Sequence, residues 1–453
     1  MDTIFFREGS PLFVQLYEQI KQSINDGTLA SDSKLPSKRK LSLQLNISVN
    51  TVESAYAQLE AEGYIEARPR KGWYVLHFEN TLFSHPSSLQ EKNEDTPVQP
   101  VIDFSQTIDT DKFPYAQWKK CSVEALHKDE LFHTGHLFGE KELREEIAAY
   151  LFRARGVRCH TDQVIIGAGT HILLEKAARI LGAETFAIED PGYHRTRDSL
   201  KDYSLIPIPL DESGMDIKAL KSSNATAVYI TPSHQFPYGT VMPVKRRLEL
   251  LEWAAEETNR WIIEDDYDGE FRYEGRPIPS LQSLSQNEDV LYFGTFSKSF
   301  IPSLRISYMI LPEKLMRSAE PQLMAFKQTV SRFHQHALSL FMARGFWEQH
   351  LNRMRTHYRK KHSLLIRQMQ AVFQDRIRII GEKSGMHILI QAENGMSEEE
   401  LITAAGRQGV KVYPASLYFV KVKPEKPLLF IGFGGVTEEE IVVGIELLRR
   451  AWF

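Results

Sequence analysis

Apolar residues recur every three or four positions at Phe13, Leu16, Ile20 and Ile24, the spacing of one buried helix face. Asn25-Asp26-Gly27 ends this helix, and Ser37 is placed to cap a second that runs through Leu41 and Leu45. Asn46-Ile47-Ser48 makes a short turn, with Ser48 as the cap of a third helix. Its buried face is Val52, Ala55, Tyr56 and Leu59, and Gly63 closes it. The period then switches. Residues 64–67 and 73–76 predict two strands, joined by the turn Arg68-Pro69-Arg70-Lys71-Gly72. Three helices followed by a hairpin predict an α+β winged helix-turn-helix.

The pattern fails over residues 81–100, a polar stretch with three prolines that reads as a linker. Beyond it, apolar runs at 164–166, 185–188, 227–230, 261–263, 290–293 and 306–311 alternate with helical periods. Such alternation predicts a large α/β unit around a mainly parallel sheet. From about residue 326 the pattern is of long helices, then short strands around 387–391, 410–413 and 428–433, a smaller α+β subdomain. The expected division is therefore 1–80, a linker 81–100, and 101–453.

Composition narrows the class. A chain of 453 residues is too long for one ordinary core. No apolar run approaches a membrane span, and the N-terminus lacks the basic and apolar regions of a signal peptide. Two cysteines, Cys121 and Cys159, are too few for a disulfide framework or a multi-cysteine metal site. These features fit a cytoplasmic protein with no membrane partner and no metal. The net charge of −4 argues against general coating of nucleic acid but leaves room for a local basic patch.

Such a patch is present. Lys34, Lys38, Arg39 and Lys40 cluster around the start of the second helix, and Arg68, Arg70 and Lys71 at the hairpin tip. Both clusters are placed to neutralise phosphates. The third helix begins at Ser48, so Val49, Asn50, Thr51 and Glu53 are where a groove-reading helix presents side chains to bases.

The chemistry in the larger unit centres on Gly294-Thr295-Phe296-Ser297-Lys298-Ser299-Phe300, directly after an apolar run. A lysine among small hydroxyl residues at a strand end is suited to a Schiff base, and the hydroxyls to a phosphate. Arg305 is placed to return to the same phosphate. Glu264-Asp265-Asp266-Tyr267 follows another apolar run; Asp265 and Tyr267 supply a carboxylate for a pyridine nitrogen and a phenol for a ring hydroxyl. Gly167-Ala168-Gly169-Thr170-His171, between a strand and a helix, offers backbone N–H groups to an anion. Taken singly, each of these has a plain structural reading: an exposed loop lysine, a helix cap, an ion pair. Their common position at strand ends favours one shared site.

Two resemblances sharpen this. Pro11-Leu12-Phe13-Val14-Gln15-Leu16-Tyr17, Leu35-Pro36-Ser37-Lys38-Arg39-Lys40-Leu41, Asn50-Thr51-Val52-Glu53-Ser54-Ala55-Tyr56 and Glu62-Gly63-Tyr64 resemble the GntR family of bacterial regulators. The resemblance implies DNA contacts by Ser37, Arg39, Asn50 and Thr51, with Lys38, Ser48, Arg68, Arg70 and Lys71 beside them. Val49 stands where that family usually has arginine. Residues of about 101–453 resemble fold-type I aminotransferases. Thr231-Pro232-Ser233-His234-Gln235-Phe236-Pro237-Tyr238-Gly239, Glu264-Asp265-Asp266-Tyr267-Asp268 and Phe296-Ser297-Lys298-Ser299 are similar to the MocR subfamily, GabR-like regulators that join the two domain types.

That resemblance implies pyridoxal 5'-phosphate bound to Lys298. Asp265 would pair with its ring nitrogen and Tyr267 with its ring oxygen. Arg305, Ala168, Gly169, Thr170, Thr295 and Ser297 would lie about the phosphate, with Tyr193 near the ring. Arg195 would take an effector carboxylate. It also implies a homodimer reading paired half-sites on double-stranded DNA.

The sequence departs from working aminotransferases in three places: Phe236 for the usual asparagine, Thr134 for a tyrosine, and no arginine in Leu428-Leu429-Phe430-Ile431-Gly432-Phe433 to clamp an α-carboxylate. Arg332 and Arg353 are the possible substitutes. Three functions compete: a cofactor-dependent regulator that senses an amino acid or amine, a catalytically active aminotransferase that also regulates transcription, and a regulator with a relic domain. The intact Lys298, Asp265, Tyr267 and Arg305 disfavour the third, and the missing clamp favours the first over the second, with weak or absent turnover expected.

Overall fold

The computed structural model describes residues 6, 10–76, 102–105, 108–273, 279–324, 326–421, 424 and 426–453. The chain divides into two compact units, 1–97 and 98–453. The expected linker at 81–100 lies outside the described residues.

In the N-terminal unit, helices Leu12–Asn25, Lys38–Leu45 and Val49–Ala61 precede the strands Ile65–Arg68 and Gly72–Val75. The hairpin register runs from Ile65 opposite Val75 to Arg68 opposite Gly72. Leu16, Ile20, Ile24, Leu41, Val52, Tyr56, Leu59 and Val75 share one core. Both serines cap as expected: Ser37 accepts from the Lys40 amide and Ser48 from the Thr51 amide, each satisfying an N–H that the helix start leaves unpaired. Phe13 is a correction. It is 41 % exposed, whereas Gln15 is buried and donates its amide to the Ser10 carbonyl at 2.7 Å. The buried stripe therefore starts at Gln15 and Leu16.

The larger unit is built on an eight-stranded sheet. Its order is Val164–Gly167, Ser307–Ile310, Val290–Thr295, Trp261–Asp266, Ala227–Ile230, Thr185–Asp190, Ser204–Asp211, Gly214–Met215. Neighbours from Val290–Thr295 to Ser204–Asp211 are parallel; Ser307–Ile310 is antiparallel to both of its neighbours. Alternate residues feed cores on opposite faces: Ile263 and Phe293 pack with Leu173 and Ala177, while Ile262 packs with Trp253 and Tyr292 with Ile147. That double coverage explains why these strands are apolar runs.

Strand Ser204–Asp211 was not foreseen. Pro207 and Pro209 interrupt its pattern, yet both pair positions along Thr185–Asp190. The Ser204 amide donates to the Glu184 carbonyl, so by alternation the positions of Pro207 and Pro209 turn their nitrogens to the other edge, where a missing N–H costs little.

The smaller subdomain carries a four-stranded antiparallel sheet, Ile377–Ile380, His387–Ala392, Leu428–Gly432 and Tyr413–Pro414 in order. Helices Phe346–Phe373, Glu398–Arg407 and Glu438–Trp452 share its core. The run expected at 410–413 is split, since Val410–Lys411 pairs with Ile102–Asp103 instead. Among the described residues, no helix is long and apolar enough to cross a membrane.

Candidate functional site

One cavity collects the predicted chemistry. Parallel strands bring their carboxyl ends to one edge of the sheet, where open α/β folds bind ligands. Asp265 stands at the end of Trp261–Asp266 and Tyr267 just past it. Thr295, Ser297 and Lys298 follow Val290–Thr295, and Gly169 and Thr170 open the helix Thr170–Leu181 after Val164–Gly167. Arg305 precedes Ser307–Ile310. All of these line the cavity, together with Tyr193 and Arg195. Ala168 is not among the lining residues; its amide donates to Thr329 Oγ1 at 3.0 Å.

Two neighbouring carboxylates have opposite surroundings because the strand is pleated. Asp266 faces the core and is held by Arg155 Nε at 2.5 Å and the Tyr292 hydroxyl at 2.6 Å. Asp265 faces the cavity. Tyr229 donates its hydroxyl to Asp265 Oδ2, while Oδ1 is buried and has no hydrogen-bond partner among the described residues. Burial, with Asp266, Asp268 and Glu264 nearby, pushes Asp265 up to about 7 against the Tyr229 bond. A cation at Oδ1 reverses that penalty.

Burial also lowers Lys298 below the ordinary range of an ammonium, with Arg195 adding to this and Asp268 opposing it. A lowered value keeps more of the amine neutral and nucleophilic. Ser297 Oγ is buried and unpartnered among the described residues. The Arg305 guanidinium donates to His171 Nδ1 at 3.1 Å and to the Ala168 carbonyl at 3.3 Å. It approaches so closely that a Cβ on Gly169, whose φ is +106°, would stand 2.3 Å from it. The donor set therefore fits pyridoxal 5'-phosphate: an unpartnered carboxylate oxygen for a protonated pyridine, a buried lysine amine for an aldehyde, and hydroxyl, arginine and helix-start groups for a phosphate.

Sequence reasoning missed part of the wall. Tyr229, Thr231, Asp268, Ser307, Met386, His387 and Phe430 also line the cavity. Tyr229 and Thr231 were legible as the end of an apolar run; Met386, His387 and Phe430 belong to the smaller subdomain, whose docking no local pattern encodes. Phe430 stands on the strand that lacks the carboxylate-clamping arginine and stacks on His387 at 4.5 Å. Neither suggested substitute lines the cavity. Arg332 is bound to Glu140 by two bonds of 2.8 Å, and Arg353 is exposed on its helix. Thr134 is exposed and also outside the lining. Among the described lining residues the arginines are Arg195 and Arg305. The segment 416–421 is tied to the end of Thr185–Asp190: Val420 and Lys421 donate their amides to the Asp190 carboxylate at 2.8 and 2.9 Å.

The N-terminal unit places Arg39, Ser37, Ser48, Asn50, Arg70 and Lys71 on the surface, with Arg70 and Lys71 at the hairpin tip. Thr51 is half-buried and shares a 2.8 Å hydroxyl bond with Ser48. Lys38 pairs with Glu53 at 2.6 Å, and Arg68 with Asp32 and Glu66, each at 2.6 Å. Partly exposed pairs of this kind are weak and screened by solvent, so exchanging a carboxylate for a phosphate costs little.

Comparison with known proteins agrees with both halves. Residues 12–75 match the gntR family of bacterial regulatory proteins, and residues 103–446 match the aminotransferase class I and II family. YdeL, an uncharacterized HTH-type transcriptional regulator of Bacillus subtilis strain 168, is 45% identical over 451 residues, covering 98% of this chain and 97% of that protein. MocR of Rhizobium meliloti, a probable rhizopine catabolism regulatory protein, is 31% identical over 465 residues, covering 98% and 94%. The kynurenine aminotransferase structure from Pyrococcus horikoshii superposes with a TM-score of 0.70 at 24% identity, covering 78% of this chain and 91% of that one, which fixes the fold of the larger unit. The chain therefore belongs to the MocR-like GntR transcription regulators, in which a DNA-binding helix-turn-helix is joined to an aminotransferase class I and II domain.

Proposed function

We infer that this DNA-binding transcription regulator uses its aminotransferase-like domain, loaded with pyridoxal 5'-phosphate, to sense an amine or amino acid. The observation that carries the reading is the single cavity containing Lys298, Arg305 and an Asp265 oxygen that is buried without a partner among the described residues. When bound, the cofactor supplies an aldehyde open to amines and an electron-withdrawing ring. Lys298 would hold that aldehyde, at the position where an effector amine would compete with it. Asp265 would keep the ring nitrogen protonated, Tyr267 would serve the ring oxygen and Tyr193 would lie near the ring. Arg305, Gly169, Thr170, Thr295 and Ser297 bind the phosphate. Arg195 takes an anionic group of the effector.

Phe430 and the absence of a second effector-side arginine among the lining residues support sensing over turnover, because orientation of an α-amino acid ordinarily needs two fixed ends. The DNA-facing residues are Ser37, Lys38, Arg39, Ser48, Asn50, Thr51, Arg68, Arg70 and Lys71. The regulator works in the cytoplasm as a homodimer that reads paired half-sites. Effector binding shifts DNA affinity only to the extent that it favours one conformation of the protein.

The test is the visible spectrum of the pure protein with cofactor, before and after candidate amines, alongside an assay for keto acid. A spectral change without keto acid supports sensing; multiple turnovers support the enzyme reading. Replacing Lys298→Ala abolishes effector response in a DNA-shift assay, and an unchanged response refutes covalent sensing.

A further inference from the structure

His234 and Asp268 play no part in the reading above, yet both are buried beside the cavity. His234 comes from the loop after Ala227–Ile230 and Asp268 follows Trp261–Asp266; they are 2 % and 3 % exposed. His234 Nδ1 lies 2.8 Å from the Tyr267 hydroxyl and 2.8 Å from Asp268 Oδ2. Nε2 of the same ring is enclosed, with no hydrogen-bond partner among the described residues. The ring is wedged in place by close backbone. A Cβ on Gly385 would stand 2.0 Å from its Cε1, and one on Gly239 3.0 Å from its Nε2.

Electrostatics decides where the ring proton sits. An ionised carboxylate only accepts. A bare Nδ1 would set its lone pair against Asp268, and would move the proton to Nε2 as a buried, unpaired N–H. A proton on Nδ1 removes both penalties. That N–H then donates to the Tyr267 oxygen, with the Asp268 carboxylate alongside. The O–H of Tyr267 is left for the cavity, which Tyr267 lines. His387 does not compete for the proton. Its Nε2 donates to the Pro237 carbonyl at 3.1 Å, and burial beside His234 and Lys298 holds it well below the ordinary histidine range.

We propose that His234, backed by Asp268, is a positioning residue that fixes Tyr267 as the hydrogen-bond donor to the cofactor's ring oxygen. The proposal rests on the cofactor reading given above. Phe236, which lines the same cavity, has no side-chain donor. Two other hydroxyls of the lining are committed: Tyr229 donates to Asp265, and Thr231 Oγ1 to Glu189 Oε2 at 2.6 Å. The titratable groups that face Tyr267 are Asp268, Asp265, Glu189, Tyr229 and His234, with Lys298 facing Asp268.

The test is a pH titration of the visible absorbance of full-length protein loaded with pyridoxal 5'-phosphate. A donor at the ring oxygen stabilises its anionic form and lowers the titration midpoint of the chromophore. Tyr267→Phe is expected to raise the midpoint by about one pH unit. His234→Gln, whose amide reaches the Nε2 position, raises it likewise, and His234→Asn, which keeps an N–H where Nδ1 stands, restores it. The double variant Tyr267→Phe/His234→Gln moves no further than Tyr267→Phe alone. An unmoved midpoint in His234→Gln overturns the proposal. So does a shift of equal size in the Tyr267→Phe background, which would make His234 act by charge. A wild-type protein that takes up no chromophore sinks the cofactor reading instead.

Discussion

Asp265 carries a pH dependence that cofactor binding should remove. Its ordinary value is 3.8 and burial raises it to about 7. Between those values the folded protein binds more protons than the unfolded chain, so stability falls as pH rises through the window and stays lost above it. Glu189 and Glu270 are likewise raised by burial to about 7 and add to the same trend. A protonated pyridine beside Asp265 cancels only the Asp265 share. The gain in Tm on adding pyridoxal 5'-phosphate is therefore expected to be larger near pH 8 than near pH 5, at roughly constant cofactor excess. Thermal scans at both values check it. In Asp265→Asn the gain should no longer depend on pH in this way.

Phe430 sets a second expectation. Replacing Phe430→Arg puts a guanidinium into a wall that is now aromatic and should tighten α-amino-acid binding about tenfold or more, read by spectral titration. Unchanged affinity would place the effector's carboxylate away from this strand.

At the scale of elements, the two serine caps decide how firmly the helices Lys38–Leu45 and Val49–Ala61 start. Ser48→Ala removes the acceptor for the Thr51 amide and should cost the N-terminal unit about 1 kcal/mol, measured by denaturant unfolding. Arg39→Ala, on the exposed start of Lys38–Leu45, should weaken DNA binding and reduce the slope of log affinity against log salt by about 1.

These elements were legible because their signals are local: a cap three residues before its amide, an apolar run at a strand, a glycine pair at a strand-to-helix turn. The same holds for Lys298, Asp265 and Arg305, which sit at strand ends. Ser204–Asp211 was hidden because Pro207 and Pro209 are tolerated by an edge that only the completed sheet defines. His387 and Phe430 were hidden because their place in the cavity depends on how the smaller subdomain packs. The bond from the Ala168 amide to Thr329 is likewise set by a partner far along the chain, which no local pattern gives.

On the scale of the molecule, the reader and the sensor are separate compact units, and each has its own family likeness. Regulation then depends on an effector that favours one conformation over another, and 1.4 kcal/mol of differential binding is about tenfold in DNA affinity. A homodimer on paired half-sites predicts that deleting one half-site weakens binding far more than changing bases between them. Gel-shift titration with single-site and two-site duplexes decides this, and equal affinity for both would speak for a monomer on DNA.

The pleat at Asp265 and Asp266 has one more consequence. Side chains on a strand change sides with every residue, so sliding Trp261–Asp266 by a single step would trade the two carboxylates. Asp265 would turn away from the cavity and Asp266 away from Arg155. Insertions or deletions of one residue between Trp261 and Asp265 should thus abolish cofactor uptake and destabilise the fold together, whereas length changes in surface turns leave both intact.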